Sequence, residues 1–411
     1  MRILGADRVN MRGRSRWAIL GRMLSFRTAG ESHGQALVAL VEGIPADLVI
    51  DFAFIDNELR RRQSGFGRGG RMKIERDHAR VLSGVRHGRT LGSPIAILIE
   101  NKDWENWQEI MSVQAVPDDK IKRRVTRPRP GHTDLAGSLK FNHTDARNIL
   151  ERSSARETAA RVASGALAKT LLKVFDVEVL SHTRSIGSIH MPDDFSVTWD
   201  QLDSIRNDDL VRCVEPATAH AMVDEIQRAQ KDGDTIGGTF EVVARGVPTG
   251  LGSHVAWETR LDGQLAQAVM SINAVKAVEV GEGVQTARKK GSVTHDEIAY
   301  DASNRRFYRL TNRAGGIEGG ISNGEEVRIV GYLKPIPTLK KALQSVDMLT
   351  KEPFLAQHER SDTCTVPAAG VIGESMVALV LARAFLEKFG GDSMSETLRN
   401  YRGYLEQVRN F

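Results

Sequence analysis

Glu151-Arg152-Ser153-Ser154-Ala155-Arg156-Glu157 opens the clearest helical pattern in the chain. Ser154 and Glu157 have the spacing of a capping box, and an apolar stripe follows at Ala160, Val162, Ala163, Leu167, Leu171 and Val174. Small residues at Ala163, Ser164, Gly165 and Ala166 would let another element approach closely. The N-terminus of such a helix, flanked by Arg152 and Arg156, is a ready anion site. Capping alone explains Ser154 and Glu157. It does not explain the two arginines.

Working outward toward the start, strand-like patterning begins at Leu24, and Ala36 to Val41 reads as a buried strand. Between them stands Thr28-Ala29-Gly30-Glu31-Ser32-His33-Gly34, in which two glycines bracket a carboxylate, a hydroxyl and an imidazole. Read alone this is a polar turn with a solvated histidine; with a ligand nearby it is a loop that moves a proton near neutral pH. Phe54 to Gln63 reads as a helix with a basic end, Arg60-Arg61-Arg62, and part of that charge suits the negative end of the helix dipole. The following Ser64 to Arg71 contains Gly65-x-Gly67-x-x-Gly70. It fails as a dinucleotide fingerprint, because a basic helix end precedes it and Met72 to Glu75 after it reads as a strand. The preferred reading is a loop holding Arg62, Arg68 and Arg71 over an anion, since the guanidinium fork matches phosphate or carboxylate with two hydrogen bonds. Val81 to Gly84 and Ser93 to Glu100 look like strands of one sheet. Asn101 to Trp107 is a polar loop whose two tryptophans either cover a flat ligand or anchor the loop. In Arg127-Pro128-Arg129-Pro130-Gly131-His132-Thr133-Asp134 the prolines stiffen the backbone and hold the arginines at fixed positions. His132 there suits proton transfer or is a solvated loop histidine.

Working outward toward the end, Val177 to Ser188 and Gly237 to Arg245 read as strands, and Asp200 to Arg206 and Ala217 to Asp232 as helices. Leu261 to Val278 reads as a helix with an apolar face at Leu261, Leu265, Val269 and Ile272, and Asn273-Ala274 within it sets a buryable amide beside a small residue. The strand, turn, helix and glycine order loosely echoes the block ending near Leu172, which leaves an internal pseudo-repeat open. Asn312 to Ser322 has four glycines in eleven residues, a backbone fit to lie against a planar ligand or a phosphate. Val327 to Tyr332 is a strand, and Lys334-Pro335-Ile336-Pro337-Thr338 is a rigid segment offering a lysine and a hydroxyl. Asp362, beside Arg360, is an ionised carboxylate that serves as a base or as a salt-bridge partner. Gly373 to Phe389 is the last strong helix.

Composition limits the function classes. The chain has 411 residues, 41% hydrophobic and 27% charged, the balance of a globular protein able to bury a large core. Its formal charge of +5 suits a small anionic ligand as well as nucleic acid. Cys213 and Cys364 are too few and too isolated for a disulfide framework or a zinc site, so no metal is expected and a reducing cytoplasm is the default. The most apolar run, Val377 to Leu386, is interrupted by Arg383 and falls short of the roughly 20 residues of a membrane span. Residues 1–22 are Arg-rich and lack the apolar core and cleavage site of a secretory signal. They read as a disordered extension or a misplaced start ahead of Met23, with a basic nucleic-acid arm as the alternative.

The stretches Gly30 to Gly34, Arg60 to Arg71, Asn101 to Trp107, Arg127 to Asp134, Glu151 to Glu157, Asn312 to Ser322 and Arg360 to Cys364 stand in the order found in chorismate synthase, and the chain resembles that family from about Met23 to its end. The resemblance implies an α+β fold, a single domain (residues 23–411) with a β-α-β sandwich, usually assembled as a homotetramer. It implies loss of phosphate and a ring proton from 5-enolpyruvylshikimate 3-phosphate to give chorismate. It also implies reduced FMN, which lends an electron, takes part in proton removal and recovers both. A reductant such as NADPH, used directly or through a separate flavin reductase, keeps that flavin reduced. Neither nucleic acid nor a membrane is an expected partner. By the same resemblance His33, His132 and Asp362 are expected to be catalytic: His132 as acid to the leaving phosphate, His33 toward the flavin, Asp362 as proton acceptor. Ser32, Arg62, Arg68, Arg129 and Arg156 are expected to bind substrate. FMN contacts are expected at Arg152, Ser153, Ser154, Asn273, Ala274, Gly319, Lys334, Pro335, Ile336, Pro337, Thr338 and Arg360. Two rival readings make other predictions. A nucleic-acid-binding protein would show salt-sensitive DNA or RNA affinity without flavin, and an ordinary flavin oxidoreductase would consume a reductant at each turnover.

Overall fold

The computed structural model describes residues 23–69, 76–117, 119, 121–192, 195–356 and 362–411. The Arg-rich residues 1–22, Arg71, the expected strand at Met72 to Glu75, and Arg360 lie outside them.

The first sheet is formed by β1 (Ser25–Ala29), β2 (Ala36–Glu42), β3 (Arg80–Val81) and β4 (Ile95–Glu100), antiparallel in the order β1-β2-β4-β3. Leu37, Ala39 and Val41 face Ile99, Ile97 and Ile95 across the β2–β4 ladder, and all six are buried. A one-residue slip would turn this apolar row to solvent, so burial of one face pins the register. The expected strand at Val81 to Gly84 is cut short because Gly84 turns the chain with a positive φ of 79°.

The second sheet is formed by β5 (Glu178–Ile186), β6 (Ile189–His190), β7 (Gly238–Arg245), β8 (Val275–Val280) and β9 (Val327–Leu333), in the order β8-β9-β7-β5-β6. Strand β8 corrects the helix expected over Leu261 to Val278. That helix, α6, stops at Met270, Ala274 takes a left-handed φ of 69°, and the alternating Val275 to Val280 pairs with β9. A non-glycine residue in that region ends a helix, and a β-branched run prefers a pleated ladder.

Helices fill the space between the sheets. The chain forms α1 (Phe52–Gln63), α2 (Asp134–Phe141), α3 (Arg147–Ser153), α4 (Thr158–Lys173), α5 (Pro216–Lys231), α6 (Leu261–Met270), α7 (Val366–Phe389) and α8 (Met394–Arg409). Helix α4 packs on β2 and β4, α7 packs on β5 and β7, and the two helices pack on each other. The result is a sheet–helix–sheet sandwich, α+β in class, with one hydrophobic core running from Leu24 to Met394. Glycine permits the closest approach. A Cβ on Gly165 of α4 would stand 2.3 Å from Ser375 Cβ of α7, and one on Gly373 would stand 2.6 Å from the Phe240 ring of β7. The small-residue run in α4 therefore does what its composition suggests.

Three helices depart further from the sequence reading, two in where they start and one in being present at all. Helix α7 starts at Val366, seven residues before Gly373, with Pro367 tolerated in its first turn where no helical N–H is needed. It is long and apolar enough to cross a membrane, yet 89% of its most apolar window is buried inside the protein, so it serves as the core helix. Helix α4 starts at Thr158, because Ser154 is extended and caps a short 3₁₀ turn through Arg156 N at 3.3 Å. The capping box does not form, and Glu157 pairs with Arg161 instead. Helix α8, with no counterpart in the sequence reading, lays Tyr401 against Phe175, Phe385 and Phe389, with ring centroids 5.1–5.3 Å apart.

A sealed ionic cluster lies where α1, α4, α7 and β5 meet. Arg61 donates to both oxygens of Glu374 at 2.7 and 2.8 Å and to Glu58 at 2.7 Å. Lys169 donates to Glu58 at 2.6 Å and to Glu374, while Ser181 adds a hydrogen bond to Glu374 at 2.6 Å. Arg212 completes the cluster, with Nη2 3.7 Å from Glu374. Burial would push the Glu374 carboxyl up, but Arg61 and Lys169 outweigh it and hold the group ionised. Burial lowers Arg212 to about 10, the sign of a cation with incomplete compensation.

Candidate active site

Six of the seven sequence motifs, scattered over more than 300 residues, are tied together by two runs of contacts; Asn312 to Ser322 stands on neither. The first begins at the loop after β1. Asn101, at the end of β4, donates through Nδ2 to Glu31 O at 3.2 Å and Gly34 O at 2.6 Å, closing the loop that carries Ser32 and His33. Its Oδ1 accepts from Arg156 Nε at 2.9 Å. Arg156 Nη1 then reaches Asp77 Oδ1 at 2.5 Å, and Arg62 Nη2 reaches the other oxygen of Asp77 at 2.8 Å. Burial would raise the Asp77 carboxyl, but the flanking Arg62 and Arg156 hold it below its ordinary range. Arg62 is pushed below the usual range by burial, with Arg156 and Arg68 adding like-charge repulsion, which puts three of the expected substrate arginines in one neighbourhood. Arg62 Nε is buried and has no hydrogen-bond partner among the described residues. Arg68 lies 3.1 Å from Asp362, which also accepts from Gly69 N at 2.6 Å. Of the two readings of Asp362, the structure displays the ion pair.

The second run begins at His132. Asp134, the first residue of α2, takes His132 Nδ1 at 2.5 Å and Arg129 Nε at 2.8 Å, and is fully buried. Burial would raise its carboxyl; the His132 and Arg129 hydrogen bonds hold it well below the usual range. Arg129 Nη2 also lies 3.1 Å from His132 Nδ1. Both contacts cannot be hydrogen bonds at once, and the shorter one, to an ionised carboxylate, identifies Nδ1 as the protonated nitrogen. Arg129 Nη1 donates to Thr338 Oγ1 at 2.9 Å, so this arginine is already engaged on two sides. Lys334 donates through Nζ to Gly131 O and through its backbone N to Ala274 O at 3.0 Å. Asn273 Nδ2 donates to Ser153 O at 3.0 Å, and Arg152 Nη2 returns to Thr28 O at 2.9 Å. The two runs therefore meet at the segment from Glu151 to Arg156.

His33 sits at that junction. Its Nδ1 is 3.0 Å from both oxygens of Glu151 and its ring stacks on Trp107 with centroids 3.8 Å apart. Of the two roles the sequence left open for the tryptophans, covering a flat ligand or anchoring the loop, the stacking of Trp107 on His33 displays the second. Burial would raise Glu151, but His33 and then Arg147 outweigh it and hold the carboxyl low. Ser32 is 2% exposed, and its backbone N donates to Glu151 O at 3.0 Å.

Among the described residues expected at FMN, two have features that suit a flavin. Asn273 Oδ1 is buried and has no partner among the described residues, an acceptor suited to an imide N–H. Within the glycine-rich stretch, Cβ atoms on Gly315, Gly316 and Gly320 would stand 2.5, 2.5 and 2.8 Å from the chain's own atoms, so those glycines serve internal packing. Gly319 differs: nothing lies within 4 Å of its Cβ position, and its φ is 59°. Pro335 and Pro337 bracket Ile336, whose carbonyl accepts from Thr235 Oγ1 at 2.7 Å and fixes that rigid strip. Ser153 is held by Ile149 O at 2.9 Å. The sequence reading missed Asp77, Asp134 as a partner, and Glu151 as a ligand of His33. Asp77 and Glu151 are paired with an arginine or histidine far along the chain, for which spacing carries no signal, whereas Asp134 lies only two residues from His132 and five from Arg129.

Comparison with known proteins places the chain among relatives of one kind. The family model described as chorismate synthase matches residues 24–386. The chain is 56% identical to a chorismate synthase of Solibacter usitatus over 391 residues, covering 95% of this chain and 100% of that protein. It is 55% identical to one of Koribacter versatilis over 395 residues, again 95% and 100% of the two chains. A crystal structure of chorismate synthase superimposes with a TM-score of 0.75 at 40% identity, covering 95% of this chain and 99% of that one.

Proposed function

The chain belongs to the chorismate synthase family of carbon–oxygen lyases, and from that premise we propose that it converts 5-enolpyruvylshikimate 3-phosphate to chorismate and phosphate by anti-1,4-elimination in the shikimate pathway, without net redox change. The observation that carries this reading is the pairing of two histidines, each gripped at Nδ1 by a buried carboxylate, with arginines on the same runs of contacts. A carboxylate on Nδ1 leaves proton exchange to Nε2. His132 is the acid for the leaving phosphate and His33 the group that manages the flavin's proton. Asp362 accepts the ring proton, which it can do only after Arg68 turns toward the substrate.

Arg62, Arg68 and Arg156 carry the positive charge that a substrate with one phosphate and two carboxylates needs, and Arg129 and Ser32 border it. Reduced FMN, when bound, supplies an electron that is returned within the same turnover. Arg152, Ser153, Ser154, Asn273, Ala274, Gly319, the strip from Lys334 to Thr338, and Arg360 would hold it. NADPH, directly or through a separate reductase, keeps it reduced. The protein acts in the cytoplasm as a homotetramer. The deciding experiment is anaerobic: purified protein, pre-reduced FMN and the enolpyruvyl substrate should release phosphate and chorismate in equal amounts with no reductant consumed. Steady consumption of reductant, or no product at all, overturns the reading.

A further inference from the structure

We propose that Glu151 is the positioning residue that decides which ring nitrogen of His33 carries a proton, and therefore which nitrogen exchanges protons with the ligands. The inference rests on the reading of His33 as a proton carrier and deepens it.

The geometry leaves one arrangement. His33 Nδ1 stands 3.0 Å from Glu151 Oε1 and 3.0 Å from Oε2, while the His33 backbone N donates to Oε2 at 2.8 Å. An ionised carboxylate only accepts, so Nδ1 must hold a hydrogen and proton exchange falls to Nε2. The carboxylate is itself fixed. Arg147, one turn earlier on α3, donates through Nη1 to Glu151 Oε1 at 2.9 Å and through Nε to Arg123 O at 2.8 Å. Glu151 is 2% exposed, so it has no water-facing alternative to these partners. Its backbone carbonyl also accepts from Ser32 N at 3.0 Å, which ties the loop before β2 to α3 at the neighbouring residue.

A separate element sets the ring plane. Trp107 stacks on His33 with an interplanar angle of 24°, and Asp103 Oδ2 holds the indole N–H at 3.0 Å. Arg123 and Arg147 lie over the Trp107 ring at 4.7 and 5.2 Å. Among the described residues, the charged groups placed around His33 include Glu151 and Arg147 on α3, with Arg123 and Asp103 behind the tryptophan. Only Glu151 touches Nδ1 among these. Trp107 fixes the tilt of the ring and Glu151 fixes its rotation and its tautomer, an arrangement that keeps a proton carrier ready without letting it flip.

Glu151→Gln tests this, because the amide keeps the shape and can offer an N–H to Nδ1. In the FMN-loaded enzyme kcat should fall roughly 10- to 100-fold, the usual cost of losing a histidine's orienting partner, with KM for the enolpyruvyl substrate hardly changed. Nitrogen NMR of His33 should report a proton on Nδ1 in the wild type and on Nε2 in a large fraction of the variant. Glu151→Asp, which restores a carboxylate, should recover part of kcat. An unchanged kcat in Glu151→Gln, or a wild-type His33 protonated on Nε2 alone, overturns the proposal. Failure of the underlying reading is distinguishable: His33→Ala would then keep its turnover while the NMR result on Nδ1 stood.

Discussion

Arg61 and Arg62 are neighbours on α1, and they end in opposite kinds of charge cluster. Arg61 enters the sealed network with Glu58, Lys169, Glu374 and Arg212, where three cations meet two carboxylates, all between helices and sheet. Arg62 turns to Asp77, which it shares with Arg156, beside loops that carry Ser32, His33 and Arg68. One helical residue advances about 100°, so adjacent side chains face different layers. The first cluster has its carboxylates satisfied and holds elements together. The second shares one carboxylate between two arginines beside the loops of the candidate site. Identical residue types serve packing in one place and, in the proposed function, binding in the other.

The comparison breaks most visibly at the site. With pre-reduced FMN, His132→Ala should lose about 10²- to 10⁴-fold in turnover, the range for a general acid. A variant with wild-type turnover removes His132 from the mechanism. Next in size is Glu374→Ala, which strands Arg61 and Lys169 and should cost about 3–5 kcal/mol in urea unfolding. If its midpoint matched the wild type, the sealed cluster would not be the structural one. Arg62→Ala should weaken binding of the phosphorylated substrate by about 1.5–3 kcal/mol, the worth of a hydrogen bond from a charged group, and weaken FMN binding far less. Equal losses for both ligands would move Arg62 out of the substrate cradle.

Smaller effects sharpen the contrast. Glu241 is fully paired on the second sheet: burial pushes its carboxyl up, but the bond from His182 outweighs that and holds it at about 2 against an ordinary 4.5. A depressed folded-state value gives stability that is complete above pH 4.5 and is lost as pH falls toward 2. Urea midpoints of the wild type should therefore drop across that interval, and Glu241→Gln should flatten the slope. Least of all, Lys122→Ala should leave the urea midpoint at the wild-type value, because its 2.6 Å pair with Glu109 is 66% and 80% exposed on the two sides.

Much of the frame was legible beforehand because its signals are local. The apolar run from Ala36 to Val41, the stripe from Ala160 to Leu171 and the small residues around Gly165 each signal burial, and each lies in an element that packs into the core. The failures share a cause as well. Leu261 to Val278 carries a helical stripe through Ile272, but a left-handed Ala274 and the open edge of β9 claim its last residues for a strand. Ser154 and Glu157 have the right spacing for a capping box, yet Ser154 is extended and Glu157 is taken by Arg161. At the site, the histidines and arginines stood out by type and glycine context. Their carboxylate partners did not, since Asp77, Asp134 and Glu151 look like any other surface acid in the sequence.

By itself the sequence determined the apolar faces, the places where the chain turns, and the family, because these depend on residue type at short spacing. Tertiary structure alone decided which arginine of an adjacent pair is sealed away, which glycines serve packing, and which nitrogen of His33 holds its proton. Those outcomes depend on distances between residues as much as 313 positions apart, as Arg61 and Glu374 are. Pairing of charges falls off with distance in space and is blind to separation along the chain.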